Sequence, residues 1–160
     1  MVYKKYPSKI TKEYWVFVNC KKKCPKPTDN CGKWLVFVHI KDLDKTWQKI
    51  AEATVKGELG IAAKSATFKP NPNATDPNIK VICIYSYDSE DKDDAARIAW
   101  KLYELGAVST VLNYKKDITT VEGKYAKTGN TKISRYSVSI HHFENKTKEE
   151  FIHFFKERFK

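Results

Sequence analysis

No apolar run in this sequence approaches the roughly eighteen residues that a helix needs to cross a bilayer. The N-terminal stretch MVYKKYPSKITKEY has no apolar core of the kind a secretory signal requires, so a soluble, intracellular, cytoplasmic protein is expected. Several signatures of catalysis are also missing: a Gly-rich phosphate loop, G-x-S-x-G, H-E-x-x-H and an EF-hand loop. No internal repeat is present. Arginine is scarce, with Arg97, Arg135 and Arg158 the only three among 30 Lys and Arg residues.

What is present is lysine. Against 19 Asp and Glu, the excess gives a formal net charge of +11, which favours polyanions such as RNA, DNA or nucleotides. A Lys-rich composition with little Arg is equally compatible with a general compositional bias. Hydrophobic residues make up 41% of the 160 and aromatics 13%, enough for one domain with a real core and against disorder.

Four cysteines need an account. Cys83 falls mid-strand and reads as a small core residue. Cys20, Cys24 and Cys31 cluster as C-x3-C-x6-C. A zinc site needs four ligands, so this trio would need a distant His as the fourth. A Cys24–Cys31 disulfide is possible but disfavoured in a reducing cytosol. Incidental loop thiols are the third reading. No cofactor is implied.

The chain is organised around residues 32–50, GKWLVFVHIKDLDKTWQKI. Trp34 to Val38 suit a largely buried strand. Trp47, Ile50, Ala51 and Thr54 then recur on one helix face, with Gly57 placed to end it. Residues 1–13 read as a basic arm, 14–19 as the first strand and 20–31 as a Cys/Lys/Pro loop. Residues 60–68 form a strand of small side chains on which Ala62, Lys64, Ala66 and Phe68 share a side. Three prolines make 69–78 a loop. A central strand at 80–87 follows, then a helix capped by Asp91 that buries Ala95, Ile98, Ala99 and Leu102 and stops at Gly106.

Residues 109–115 are a further strand and 117–131 a loop or irregular hairpin. In 133–140 Tyr136, Val138 and Ile140 point inward. Thr147 and Glu150 form a capping box for a last helix carrying Phe151, Phe154, Phe155 and Phe159. The sum is a single α+β domain over 1–160, with a mainly antiparallel sheet of about six strands and three helices.

GKWLVFV, Trp47 with its spacing to Gly57-Glu58-Leu59, AAKSAT, VICIYSYD, and LNYKKD with Tyr125 beyond together resemble the basophilic-leukaemia-expressed protein family, a domain of unknown function. The resemblance runs from about Trp34 to Tyr136. It implies a fold like that of translation initiation factor 4E, a curved antiparallel sheet backed by three helices. Cap binding does not come with the fold. That factor sandwiches a methylated guanine between two loop tryptophans, whereas Trp34 and Trp47 read as core anchors, Trp100 as helical and Trp15 as a strand residue. The resemblance also brings a phosphothreonine-lyase chemistry to be weighed.

The most suggestive polar residues are Lys64, Lys115, Lys116 and Arg135, with Ser65, Tyr114 and Tyr125. Lys64 interrupts a strand of small residues, and a lysine there is costly unless it meets solvent or an anion. Arg135 suits phosphate or carboxylate. If their strands are neighbours, these groups meet as a phosphate cradle; otherwise each is a solvated surface cation. A lyase would use Lys64 as base and a histidine as acid, with His39 better placed than His141, His142 or His153. A Lys-x-His signature is absent, since His39-Ile40-Lys41 runs the other way. Asp88, Glu90, Asp91, Asp93 and Asp94 fit a helix N-terminus better than a cation site.

The leading expectation is therefore a binding module holding RNA, a nucleotide or another phosphorylated ligand on its sheet face. The alternatives are an enzyme acting on a phosphate-bearing substrate and a protein-interaction adaptor using aromatic helix faces.

Overall fold

The computed structural model describes residues 5–117 and 134–160. Six strands among them form one curved sheet: β1 (Trp15–Asn19), β2 (Gly32–His39), β3 (Ala62–Ala66), β4 (Ile79–Ser86), β5 (Val111–Lys116) and β6 (Tyr136–Ser139). Their spatial order is β1-β3-β4-β2-β5-β6, and every neighbouring pair is antiparallel. The helices α1 (Leu43–Val55), α2 (Lys92–Glu104) and α3 (Lys148–Arg158) back one side of it. This is the α+β architecture that the sequence pattern and the family resemblance lead one to expect. Among the described residues no helix is long and apolar enough to cross a membrane.

Period-two alternation decides which side chains meet the helices. Val16 and Val18, Trp34, Val36 and Val38, Ala63, Ile82 and Ile84, Leu112 and Tyr114, and Tyr136 and Val138 all face them and are buried. From α1 come Leu43, Trp47, Ile50 and Ala51, and from α2 Ala95, Ile98, Ala99 and Leu102. Each large apolar side chain so removed from water contributes about 1.5–3 kcal/mol. Trp34 ties the layers together. Its indole N–H donates to the Ala95 carbonyl of α2 at 3.0 Å, and its ring meets Tyr114 edge-on at 5.1 Å. Phe143 stacks between Phe151 of α3, at 4.4 Å, and Tyr103 of α2, at 4.9 Å.

The ends of the helices are set locally. Asp91 caps α2, its carboxylate accepting from the Asp94 N–H at 3.0 Å. Thr147 and Glu150 form the reciprocal capping box of α3. Gly57 and Gly106 follow α1 and α2 with φ of 77° and 73°, the left-handed conformation that glycine adopts without a Cβ penalty.

Two expectations change in detail. The N-terminal arm is anchored from residue 5 on: Pro7 is buried, the Ser8 N–H donates to Asp44 of α1 at 3.0 Å, and the Phe68 N–H donates to the Ile10 carbonyl. In β2 the apolar run is not buried throughout. Phe37 is 55% exposed, because the helices cover only one side and alternate residues of a central strand point away from them. The expected loop at 117–131 lies, after Asp117, outside the described residues.

Candidate ligand-binding face

The side of the sheet turned away from the helices carries an ordered set of residues. Phe17, Lys64, Cys83, Leu35, Asn113 and Ser137 are paired in register across all six strands. The next row is Asn19, Ala62, Tyr85, Lys33 and Lys115. On the other flank Trp15 pairs with Ala66 and Val81 with Phe37. The face therefore interleaves three lysines with Trp15, Phe17, Phe37 and Tyr85.

The lysines lie against rings. The Lys64 ammonium sits 4.0 Å from the centre of the Trp15 ring and 6.0 Å from that of Tyr85. Lys33 lies 5.7 Å from the Tyr85 ring on its other flank and pairs with Asp117 at 3.3 Å. The electron-rich ring faces partly replace the water these cations give up. Burial lowers the Lys64 pKa from its ordinary value, and Lys33 pushes it the same way while Cys83 opposes. Burial likewise raises the Cys83 thiol and the Tyr85 phenol, so both stay neutral near pH 7. An anion on this face would meet cations that are already partly desolvated.

The residues singled out in the sequence fall into separate groups. Lys64 and Lys115 share the open face, three strand positions and two residues of register apart, a spacing of about 16 Å. Lys116 and Arg135 meet elsewhere, on Glu90 of the β4–α2 turn, at 3.8 and 3.2 Å. Ser65 and Tyr114 are out of step with Lys64 and Lys115. Both are fully buried on the helix side, where the Tyr114 hydroxyl hydrogen-bonds Ser86. Tyr125 lies outside the described residues. The four cations thus form no single cradle.

Lys64 and His39 are not brought together either. Leu35 lies level with Lys64 across β4, and His39 is four residues further along β2, about 13 Å by strand rise alone. His39 instead caps the turn after β2, its Nδ1 accepting from the Lys41 N–H. His142 does similar local work with the Ser139 N–H.

The cysteine loop departs from expectation. Cys20 is disulfide-bonded to Cys24, with Cα atoms 6.6 Å apart, and Cys31 is free, so the loop holds a disulfide, but not the disfavoured Cys24–Cys31 one weighed from the sequence. The chain doubles back directly after β1, which brings Cys24 rather than Cys31 against Cys20. The same bond removes two of the three thiols proposed as metal ligands. Among the described residues no group of three His, Cys, Asp or Glu side chains is placed to hold a metal. The acidic cluster is engaged in capping and ion pairs: Asp94 with Arg97 at 2.9 Å, Asp93 with Lys156 at 3.3 Å, and Glu90 as above.

Sequence reasoning missed Lys33, Trp15 and Tyr85. Lys33 alternates with Leu35 and Phe37, and Trp15 with Phe17, so the period-two signal was present. The apolar runs around them concealed it.

A helix-backed antiparallel sheet whose other face presents interleaved lysines and aromatics defines this as an α+β protein with an open sheet surface. The chain belongs to the family described as Basophilic leukemia-expressed protein Bles03, whose sequence model matches residues 22–121. Among solved structures it is similar to eIF4E-3 of Ascaris suum, crystallised in complex with the m7G cap. The identity is 16% and the TM-score 0.45, over 68% of this chain and 57% of that one.

Proposed function

We propose that this protein is a binding module that holds RNA or another phosphorylated ligand on the open face of its sheet. The observation that carries the reading is the row Tyr85–Lys33–Lys115 with Lys64 diagonal to Tyr85, and with Trp15, Phe17 and Phe37 beside them. Lysines interleaved with exposed rings suit single-stranded nucleic acid, whose phosphates pair with the cations while its bases stack on the aromatics. The net charge of +11 supports the same reading by favouring encounter with polyanions.

The test is fluorescence anisotropy with short single-stranded RNAs across a salt series. The wild type should bind with an affinity that falls steeply as salt rises. Lys33→Ala and Lys64→Ala should each weaken binding and flatten the salt dependence, whereas Lys156→Ala, at the far side of the helices, should not. Equal effects of all three substitutions would reduce the binding to diffuse charge and defeat the proposal.

A further inference from the structure

One end of the open face holds a half-open cavity. The 69–78 loop, between β3 and β4, lines one side of a cavity of about 610 Å³. The space lies within the range typical of small-molecule sites. Its lining includes Ala66 and Val81 of the strands, the rings of Tyr14, Trp15 and Phe37, and Asp76 of the loop. Small residues on a strand let a flat ligand approach the backbone closely.

The loop that lines the cavity is a built structure. The Asn71 side chain accepts from the Asn73 N–H at 3.0 Å, and the Asp76 side chain accepts from the Asn78 N–H at 2.9 Å. The Asn78 carbonyl then accepts from the Ile40 N–H at 2.9 Å, which fastens the loop to the end of β2. Cations stand at the walls. The Lys69 ammonium lies 4.1 Å from the centre of the Tyr14 ring and Lys80 lines the same space, while Lys64 rests against Trp15 from outside the cavity.

We propose that this cavity takes one nucleotide, either free or as the terminal residue of an RNA, with its base stacked on Trp15 and its phosphate held by Lys69. Aromatic walls alone would fit many apolar ligands. Aromatic walls with a lysine seated on one of the rings select a ligand that is flat at one end and anionic at the other. The inference rests on the open face being the ligand surface, and it assigns to one bounded site a ligand of defined size.

Isothermal titration calorimetry with AMP, GMP, CMP and UMP tests it, with ribose 5-phosphate and inorganic phosphate as probes that lack a base. The nucleotides should bind with one-to-one stoichiometry and the two probes at least ten-fold more weakly. Trp15→Leu should weaken nucleotide binding ten-fold or more, in line with the loss of one stacked base. Trp15→Phe should restore much of it, and Lys69→Ala, on the loop and outside the core, should weaken it several-fold. Lys115→Ala should leave it unchanged while weakening the binding of a longer RNA. If ribose 5-phosphate or phosphate binds as well as the nucleotides, the cavity is only an anion site and the proposal fails. Longer RNA binding without mononucleotide binding overturns this inference and leaves the sheet-face reading standing. Mononucleotide binding without binding of longer RNA upholds the cavity and removes RNA from the sheet-face reading. Binding of neither overturns both.

Discussion

Lys64 holds its ammonium 4.0 Å from the centre of the Trp15 ring, on the neighbouring strand, with burial lowering its pKa from 10.5. In the unfolded chain the same amine titrates at its ordinary value. Between the two values the unfolded chain binds the extra proton, so the fold gains stability as pH rises through that window. The stability difference between wild type and Lys64→Met should therefore move in favour of the wild type as pH climbs toward 10.5. Melting temperatures of the two proteins across an alkaline series check this. A difference independent of pH would mean that Lys64 titrates as it does in water.

Gly32 opens β2 against the buried ring of Tyr114, and a Cβ built at that position overlaps the ring. Tyr114 has little room to yield, because its hydroxyl is tied to Ser86 and its ring meets Trp34 and Tyr136. Gly32→Ala should cost about 1–3 kcal/mol, the range for overpacking a filled core. Urea unfolding followed by tryptophan fluorescence measures it, and a change within error would mean that the strand end shifts freely.

The α3 capping box gives a smaller, local prediction. The Thr147 hydroxyl accepts from the Glu150 N–H at 3.2 Å, while the Glu150 carboxylate accepts from the Thr147 N–H at 2.9 Å. Thr147→Ala should cost about 1 kcal/mol. The loss should appear as faster amide exchange in the first turn of α3, with little change in the amides of β4.

The thiols should react in a fixed order. Cys31 is partly exposed, Cys83 is buried between strands, and Cys20 is bonded to Cys24. Iodoacetamide under native, non-reducing conditions should add one group, on Cys31, slowed by a thiol pKa that burial and Asp117 raise. Denaturant alone should expose Cys83, and reduction should then release Cys20 and Cys24. Mass spectrometry of the digested adducts reads each step. Early labelling of Cys20 or Cys24 would show that this bond is not held in solution.

Local pattern carried far in this chain. The capping box at Thr147, the Asp91 cap, the glycine stops at 57 and 106 and the stripe Ala95, Ile98, Ala99 and Leu102 depend on neighbours within a few residues, and each is found in place. Lys64 could be singled out for the same reason: a lysine among small strand residues is conspicuous without knowledge of its surroundings.

What the linear chain could not supply is which residues come level across the sheet. The order β1-β3-β4-β2-β5-β6 places Lys33, which the sequence did not single out, between Tyr85 and Lys115, and it sends Lys116 and Arg135 to Glu90. Ser65 and Tyr114, close in sequence to the expected cations, turn to the opposite side because successive strand residues alternate. The sequence by itself determined the elements, their ends and their buried stripes, since these follow from backbone geometry and short-range burial. Only the tertiary structure decided which cations and rings share a surface, because strand order and register are set by long-range packing against the helices.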